Sequence, residues 1–157
     1  MTINWKIKTF EELSNTELYQ AFHLRIAVFI VEQRCLWQDA DGKDFNSLHV
    51  LGTTPFAELN NNSQEEIVIA YSRILPAGIA FKEVSIGRVA CSQKFRGAGI
   101  GRILMQKSLD VVNQNYGNVP IRIGAQLYLK SFYESFGFTQ ASDIYIEDDI
   151  EHIEMIR

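Results

Sequence analysis

Val84-Ser85-Ile86-Gly87-Arg88-Val89-Ala90-Cys91, then Ser92 to Phe95, then Arg96-Gly97-Ala98-Gly99-Ile100-Gly101-Arg102, is the stretch that decides the fold. Its first part reads as a strand. Beyond the glycines, Ile100, Ile103, Leu104 and Val111 recur at helical spacing up to Gly117. Strand, glycine turn and helix form one unit, in which backbone N–H groups approach an anion at the positive end of the helix dipole. Glycine permits that approach because it has no Cβ.

Taken alone, a glycine-rich turn is as often plain punctuation as a binding loop. Here the surroundings favour binding. Between Val84 and Leu109 stand Arg88, Lys94, Arg96, Arg102 and Lys107 and not one acid, in a chain that holds 19 acids. A dinucleotide fold needs its third glycine where Arg102 stands, and an ATP-binding P-loop needs a Gly-Lys-Ser/Thr ending that is absent.

Working outward, Ile3, Trp5 and Ile7 alternate with polar residues as a first strand. Ser14 and Glu17 form a capping box that opens a helix, bracketed by Leu13 and Leu18. Leu18, Ala21, Phe22 and Phe29 make its apolar stripe, and Arg25 and Glu32 fall inside that stripe. Asp39-Ala40-Asp41-Gly42-Lys43-Asp44 reads as a loop. Leu48 to Gly52 and Ile67 to Leu75 read as strands flanking the Asn60-Asn61-Asn62-Ser63 turn. Ile121 to Ala125 is a short strand; Leu129, Phe132, Tyr133 and Phe136 lie on a second helix stopped by Gly137; strand-like residues follow through Ile146, and Ile153 to Ile156 closes the chain.

A length of 157 residues suits one α/β domain, 1–157, and a composition of 46% hydrophobic and 22% charged residues is that of a globular chain. The N-terminus lacks the apolar core of a signal peptide and no run reaches membrane-spanning length, so no membrane partner is expected and the cytoplasm is the expected location. Cys35 and Cys91 are too far apart for a zinc or disulfide framework, and no metal is expected. A net charge of −4 argues against nucleic acid as a partner. Asp143 to Arg157 holds six acids and one basic residue, which makes Glu147-Asp148-Asp149 either a lining for a cationic ligand or a solvated loop.

Arg96-x-x-Gly99-x-Gly101 resembles the R/Q-x-x-G-x-G/A pyrophosphate motif of the GCN5-related N-acetyltransferases, the GNAT family. Thirty positions on, Gln126-Leu127-Tyr128-Leu129-Lys130-Ser131-Phe132-Tyr133-Glu134-Ser135-Phe136-Gly137-Phe138 resembles the second family signature, N-x-x-A-x-x-L-Y-x-x-x-G-F, with Gln126 in place of Asn and Leu129 in place of Ala. Leu24-Arg25-x-x-Val28-Phe29-x-Val31-Glu32-Gln33, Asp41-Gly42-x-Asp44 and Glu147-Asp148-x-Ile150-x-His152-Ile153-x-Met155 are similar to segments of the ElaA-like subgroup.

The resemblance implies an α/β fold: a mixed, mostly antiparallel sheet with a splayed parallel central strand pair and helices on both faces. It also implies acetyl-coenzyme A as cosubstrate, seated between the strand ending at Cys91 and the one ending at Ala125. Backbone groups of Val89, Ala90 and Cys91 would meet the pantetheine arm and polarise the thioester. Arg96, Gly97, Ala98, Gly99, Ile100, Gly101 and Arg102 would hold the pyrophosphate, and Gln126 would offer its amide. The acceptor would be an amine of a small molecule or peptide. The alternative is a cofactor-binding sensor without turnover, and a homodimer suits the exposed sheet edges of such small enzymes.

Acetyl transfer to an amine requires an acid for the departing thiolate and a route for the amine's proton. Tyr133 matches the family's acid, although its stripe is equally that of a core tyrosine. For the base, Glu32 ranks first, then His152, then His49; an ion pair of Glu32 with Arg25 and a structural role for each histidine are the competing readings. Cys91 has no basic partner at catalytic spacing and reads as a small strand residue.

Overall fold

The computed structural model describes residues 2–55 and 66–157; the expected Asn60–Ser63 turn lies outside them. Four strands, β1 (Asn4–Lys8), β2 (Leu48–Pro55), β3 (Glu66–Leu75) and β4 (Ser85–Cys91), form an antiparallel sheet in chain order. β1 registers Trp5 opposite Gly52. A Cβ at Gly52 would stand 2.9 Å from the Trp5 ring, so the glycine is required by packing.

Helix α1 (Asn15–Arg25) starts as expected: the Glu17 N–H donates to Ser14 Oγ at 3.1 Å and the Ser14 N–H donates to Glu17 Oε2 at 2.9 Å. Lys8 Nζ reaches Glu17 Oε2 at 2.7 Å, tying the helix start to β1. Burial resists ionisation of Glu17, but the bonds from Lys8, the Ser14 N–H and Lys6 outweigh it and hold the carboxyl at about 2.

The expected helical run does not stay α. Ile26–Glu32 winds as a π-helix, in which the Gln33 N–H donates to Val28 O, five residues back, at 3.1 Å. The ion pair between Arg25 and Glu32 does not form: Arg25 turns to Asp39 and Asp44, and Glu32 turns to Arg96.

Helix α2 (Ile100–Tyr116) covers the opposite face of the first sheet from α1. Strand alternation shows this directly. Val50 and Ile69 pack with Leu104 and Met105 of α2, whereas their neighbours Leu51 and Val68 pack with Ala21 and Leu24 of α1. Strands covered on both faces read as continuous apolar runs, as 67–71 does.

The second sheet has β8 (Ile150–Ile156) at its centre, paired antiparallel with β5 (Arg122–Gln126), with β6 (Thr139–Gln140) and with β7 (Tyr145–Glu147). The segment expected to be strand-like from Phe138 to Ile146 holds only these two short pieces, while the closing strand begins earlier than Ile153. A 3₁₀ turn at Leu127–Leu129 leads into the short helix α3 (Lys130–Glu134). The two sheets touch at one parallel bridge, Val84 opposite Ile121, where the Arg122 N–H donates to Val84 O at 3.0 Å. Beyond that bridge β4 and β5 belong to different sheets, and cavities open between them.

Candidate active site

A cavity of about 480 Å³ lies over the N-terminus of α2 and is lined by Val89, Ala90, Cys91, Arg96, Gly97, Gly99 to Arg102 and Tyr133, among others. Gly97 and Gly99 have φ of 89° and 74°. A Cβ at either would meet nothing within 4 Å, so the left-handed backbone, not crowding, calls for glycine. Gly101 differs: its φ is not positive and the nearest atom to an added Cβ is Cys91 Sγ at 4.0 Å, so alanine fits there. The backbone N–H groups of residues 97–101 donate to no described residue, whereas that of Arg102 donates to Gly99 O at 3.0 Å. Unpaired N–H groups at a helix start form an anion cradle.

Arg96 stands at this cavity, but its guanidinium is already engaged. Nη1 and Nη2 donate to the two carboxylate oxygens of Glu32, the second at 2.9 Å, while Nε and Nη2 donate to the Cys91 carbonyl at 3.1 Å. Arg102 stacks on Phe136 at 4.9 Å and donates to Ser135 Oγ. Burial pushes the Cys91 thiol up to about 11 against the nearby Arg96 charge, so it stays protonated and is no nucleophile near neutrality.

A smaller cavity of about 170 Å³ shares Gln33, Val89, Leu129 and Tyr133 with the first. Its walls include Trp37, Arg88, Gln126, Glu147, Asp148 and His152. Tyr133 is 8% exposed and packs edge-on against Phe132 and Phe138, which makes it a core residue, yet it sits where the two cavities meet. Its hydroxyl donates to no described residue. Burial, reinforced by Tyr128 and Cys91, pushes the phenol up to about 12.

At this junction β4 carries a bulge. Tyr71 registers with Ala90 and Arg73 with Gly87, which leaves Arg88 and Val89 without ladder partners. Arg88 takes a left-handed φ of 53°, a strained choice for a side-chain-bearing residue. A buried charge network holds it there. Arg88 Nε donates to Asp39 Oδ1 at 2.8 Å and its guanidinium lies 3.9 Å from the Trp37 ring centre. Asp39 also receives Arg25 Nε at 2.8 Å; Asp44 receives Arg25 and Arg73; Asp41 receives Arg73 Nη2 at 2.6 Å. Burial opposes ionisation of Asp41, but Arg73 and Arg88 outweigh it and hold its carboxyl below the usual carboxylate range.

The network was missed in the sequence, where residues 39–44 read as a loop. Its signal is there: single arginines interrupt apolar runs at Arg25, Arg73 and Arg88, and three aspartates cluster in six residues. A charge inside such a run needs a partner. His49 is part of the same interior, 1% exposed, with Nδ1 2.8 Å from Tyr71 Oη and Nε2 3.0 Å from Asp44 O. Burial lowers its pKa, and its role is structural.

The other expected site residues separate into two groups. Glu32, bound to Arg96, lines the larger cavity and not the smaller one. Gln126 lines the smaller cavity, apart from the glycine turn; its Nε2 donates to Gln33 Oε1 at 2.9 Å and its Oε1 is buried without a partner. His152 lines the smaller cavity, with Nδ1 2.8 Å from Ile150 O and Nε2 3.8 Å from Glu147 Oε2. Ala98 lies in the turn itself, between the two left-handed glycines. Among the described residues no group of three His, Cys, Asp or Glu side chains is placed to hold a metal, and no helix is long and apolar enough to cross a membrane.

Comparison with known proteins adds a family to this geometry. A sequence model described as an acetyltransferase (GNAT) domain matches residues 38–157. The protein ElaA of Escherichia coli is 39% identical over 157 residues, covering 99% of this chain and 96% of that one. The crystal structure of Escherichia coli ElaA superposes with a TM-score of 0.85 over 99% of each chain. An acyl-CoA N-acyltransferase from Pseudomonas aeruginosa, 33% identical, superposes with a TM-score of 0.87 over 99% of each. At 16% identity, a GNAT acetyltransferase from Elizabethkingia anophelis solved with acetyl-CoA bound shares the fold, with a TM-score of 0.62 over 98% of this chain and 96% of that one. On the match over residues 38–157 and the near full-length identity to ElaA, the chain belongs to the GNAT family of N-acetyltransferases, in its ElaA-like branch.

Proposed function

We propose that this N-acetyltransferase takes its acetyl group from acetyl-CoA and passes it to a primary amine by direct attack, with both substrates bound at once. One observation carries the reading: an anion-binding cavity and a small polar cavity meet at Tyr133 and the Val89 bulge. The free N–H groups of residues 97–101 hold the pyrophosphate, together with Arg102. Arg96, engaged by Glu32 and Cys91, braces the turn and adds positive charge at close range. The backbone of Val89 to Cys91 runs beside the pantetheine arm, and a backbone N–H at the bulge polarises the thioester carbonyl.

The amine nitrogen attacks the carbonyl carbon, the C–S bond breaks, and the thiolate receives the Tyr133 proton. A phenol at about 12 is a poor match for an ordinary thiol at about 8.5. Burial at this junction, which also raises the Cys91 thiol, disfavours a bare thiolate there and favours proton transfer from Tyr133 as the C–S bond breaks. The amine's proton goes to His152 Nε2, whose lone pair is free when Nδ1–H donates to Ile150 O. Glu32 does not line the smaller cavity, whereas His152 does, which favours His152 over Glu32 as the base.

The test is calorimetric titration with acetyl-CoA followed by thiol-release assays over an amine panel. Micromolar binding with turnover of at least one amine supports the reading. Binding without turnover of any amine makes the protein a cofactor sensor, and no binding at millimolar acetyl-CoA removes the reading altogether.

A further inference from the structure

The polar atoms around the smaller cavity are unequal in kind. Gln126 Oε1 is buried and accepts no hydrogen bond, and because Nε2 is committed to Gln33, the carbonyl is the end left over. His152 presents the lone pair of Nε2, and the exposed carboxylates of Glu147 and Asp148 stand at the mouth. All four are acceptors. They are carried by β5, by β8 and by the tight β7–β8 turn, in which Asp148 and Asp149 take left-handed φ of 50° and 61°.

Positive charge in the lining is already answered. Arg88 is the one Arg or Lys among the lining residues; the Asp39 carboxylate and carbonyl and the Asp41 carboxylate receive its Nε and Nη2, so its charge is already shared by two aspartates although Nη1 has no partner among the described residues. The Trp37 indole N–H, buried without an oxygen or nitrogen partner, is a spare donor but carries no charge. The charge left unbalanced is therefore that of Glu147 and Asp148. A buried acceptor left empty is costly, and a ligand that brings N–H donors and a positive charge relieves both conditions. A carboxylate beside that amine would meet Glu147 and Asp148 and find no free cation. At about 170 Å³ the cavity admits a group no larger than about a benzene ring.

Resting on the reading that this cavity receives the acceptor, we propose that the acceptor is a short-chain aliphatic primary amine that enters as its ammonium and carries no carboxylate near it. Glu147 and Asp148 draw the cation in, Gln126 Oε1 takes one N–H, and His152 Nε2 takes the proton that must leave before attack.

The experiment is a proton NMR titration of the protein, free and saturated with CoA, with n-butylamine and with its zwitterionic counterpart 4-aminobutanoate, read on the ring protons of His152. The chain has only three histidines, so the signal is assignable by substitution. Butylamine is expected to bind at least tenfold more tightly than 4-aminobutanoate at pH 7. In a Glu147→Gln, Asp148→Asn double variant that keeps its CoA affinity, the ratio is expected to fall below threefold. Equal or tighter binding of 4-aminobutanoate, an unchanged ratio in the double variant, or failure of either compound to move His152 while CoA binds overturns the proposal and leaves the donor assignment standing. Failure of CoA itself to bind strikes the donor assignment, and the titration of the free protein still decides the amine preference.

Discussion

The two cavities that meet at Tyr133 are built in opposite ways. The larger one offers consecutive backbone N–H groups between Gly97 and Gly101, with conformation set by two left-handed glycines. The smaller one takes its groups from side chains on β4, β5, β8, the β7–β8 turn and the segment after the π-helix, and it depends on a buried network of three arginines and three aspartates to keep one wall in place. A backbone site tolerates change at most side chains and fails where φ is special. A side-chain site fails wherever one buried partner is removed, including at positions that touch no substrate.

That contrast is broken most severely at Asp39. Replacing Asp39 by Asn removes the charge shared by Arg25 and Arg88, both largely buried, and is expected to cost about 3–5 kcal/mol of stability in chemical denaturation. The remaining folded protein should keep acetyl-CoA affinity within about twofold, because the pyrophosphate cradle at residues 97–101 lies outside the network, while turnover falls as the bulge loses its support. Equal loss of cofactor binding would mean that the cavities are not separately supported.

Tyr133→Phe tests the junction. Loss of the acid is expected to lower kcat about a hundredfold, roughly 2.7 kcal/mol in the barrier, with KM for acetyl-CoA unchanged. The pH profile sharpens this. A phenol raised to about 12 keeps its proton through neutral and mildly basic solution, so the wild-type rate should show no fall between pH 7 and 10 from this group. In stability terms the raised pKa favours the folded state fully below about pH 10 and loses that contribution as pH climbs through about 12.

Two glycines distinguish backbone conformation from space on the donor side. Gly99→Ala must hold a side chain at φ 74° and is expected to weaken acetyl-CoA binding about tenfold, the equivalent of about 1–2 kcal/mol for a left-handed residue. Gly101→Ala places its Cβ in ordinary contact with Cys91 and is expected to leave affinity within twofold by calorimetry. Equal effects at both would show that the turn is sensitive to bulk and not to φ.

A small effect, opposite in sign to that of Gly99→Ala, is expected at Glu32. Its pairing with Arg96 is partly solvent-exposed and worth less than about 1 kcal/mol, so Glu32→Gln should tighten acetyl-CoA binding by no more than about fivefold as Arg96 turns to the phosphates. Weaker binding instead would identify the pair as a strut that the donor cavity needs.

Much of the fold was legible because its signals are local. The Ser14–Glu17 capping box, the strand through residues 85–91, the helix from Ile100 to the Gly117 stop and the glycine turn each depend on neighbours within a few positions. The π-helix was not legible, since residues 26–32 read equally well as α and only the pull of Glu32 toward Arg96, 64 positions away, and of Arg25 toward Asp39 distinguishes the two. The order of strands in the second sheet escaped for a similar reason: β8 is central because three partners reach it, and none of them is encoded in its own residues.

The glycine turn, and with it the proposed pyrophosphate site, could be read from letters alone, because a run of free backbone N–H groups at a helix start is a property of a short stretch of chain. Only the tertiary structure decided what faces that donor. Gln33 and Gln126 meet across 93 positions, Arg88 is turned by an aspartate 49 positions away, and His152 enters the cavity because β8 lies against β5 and β7. Side-chain chemistry of that kind exists only after packing has brought distant residues within hydrogen-bonding reach and removed the water that would otherwise screen them.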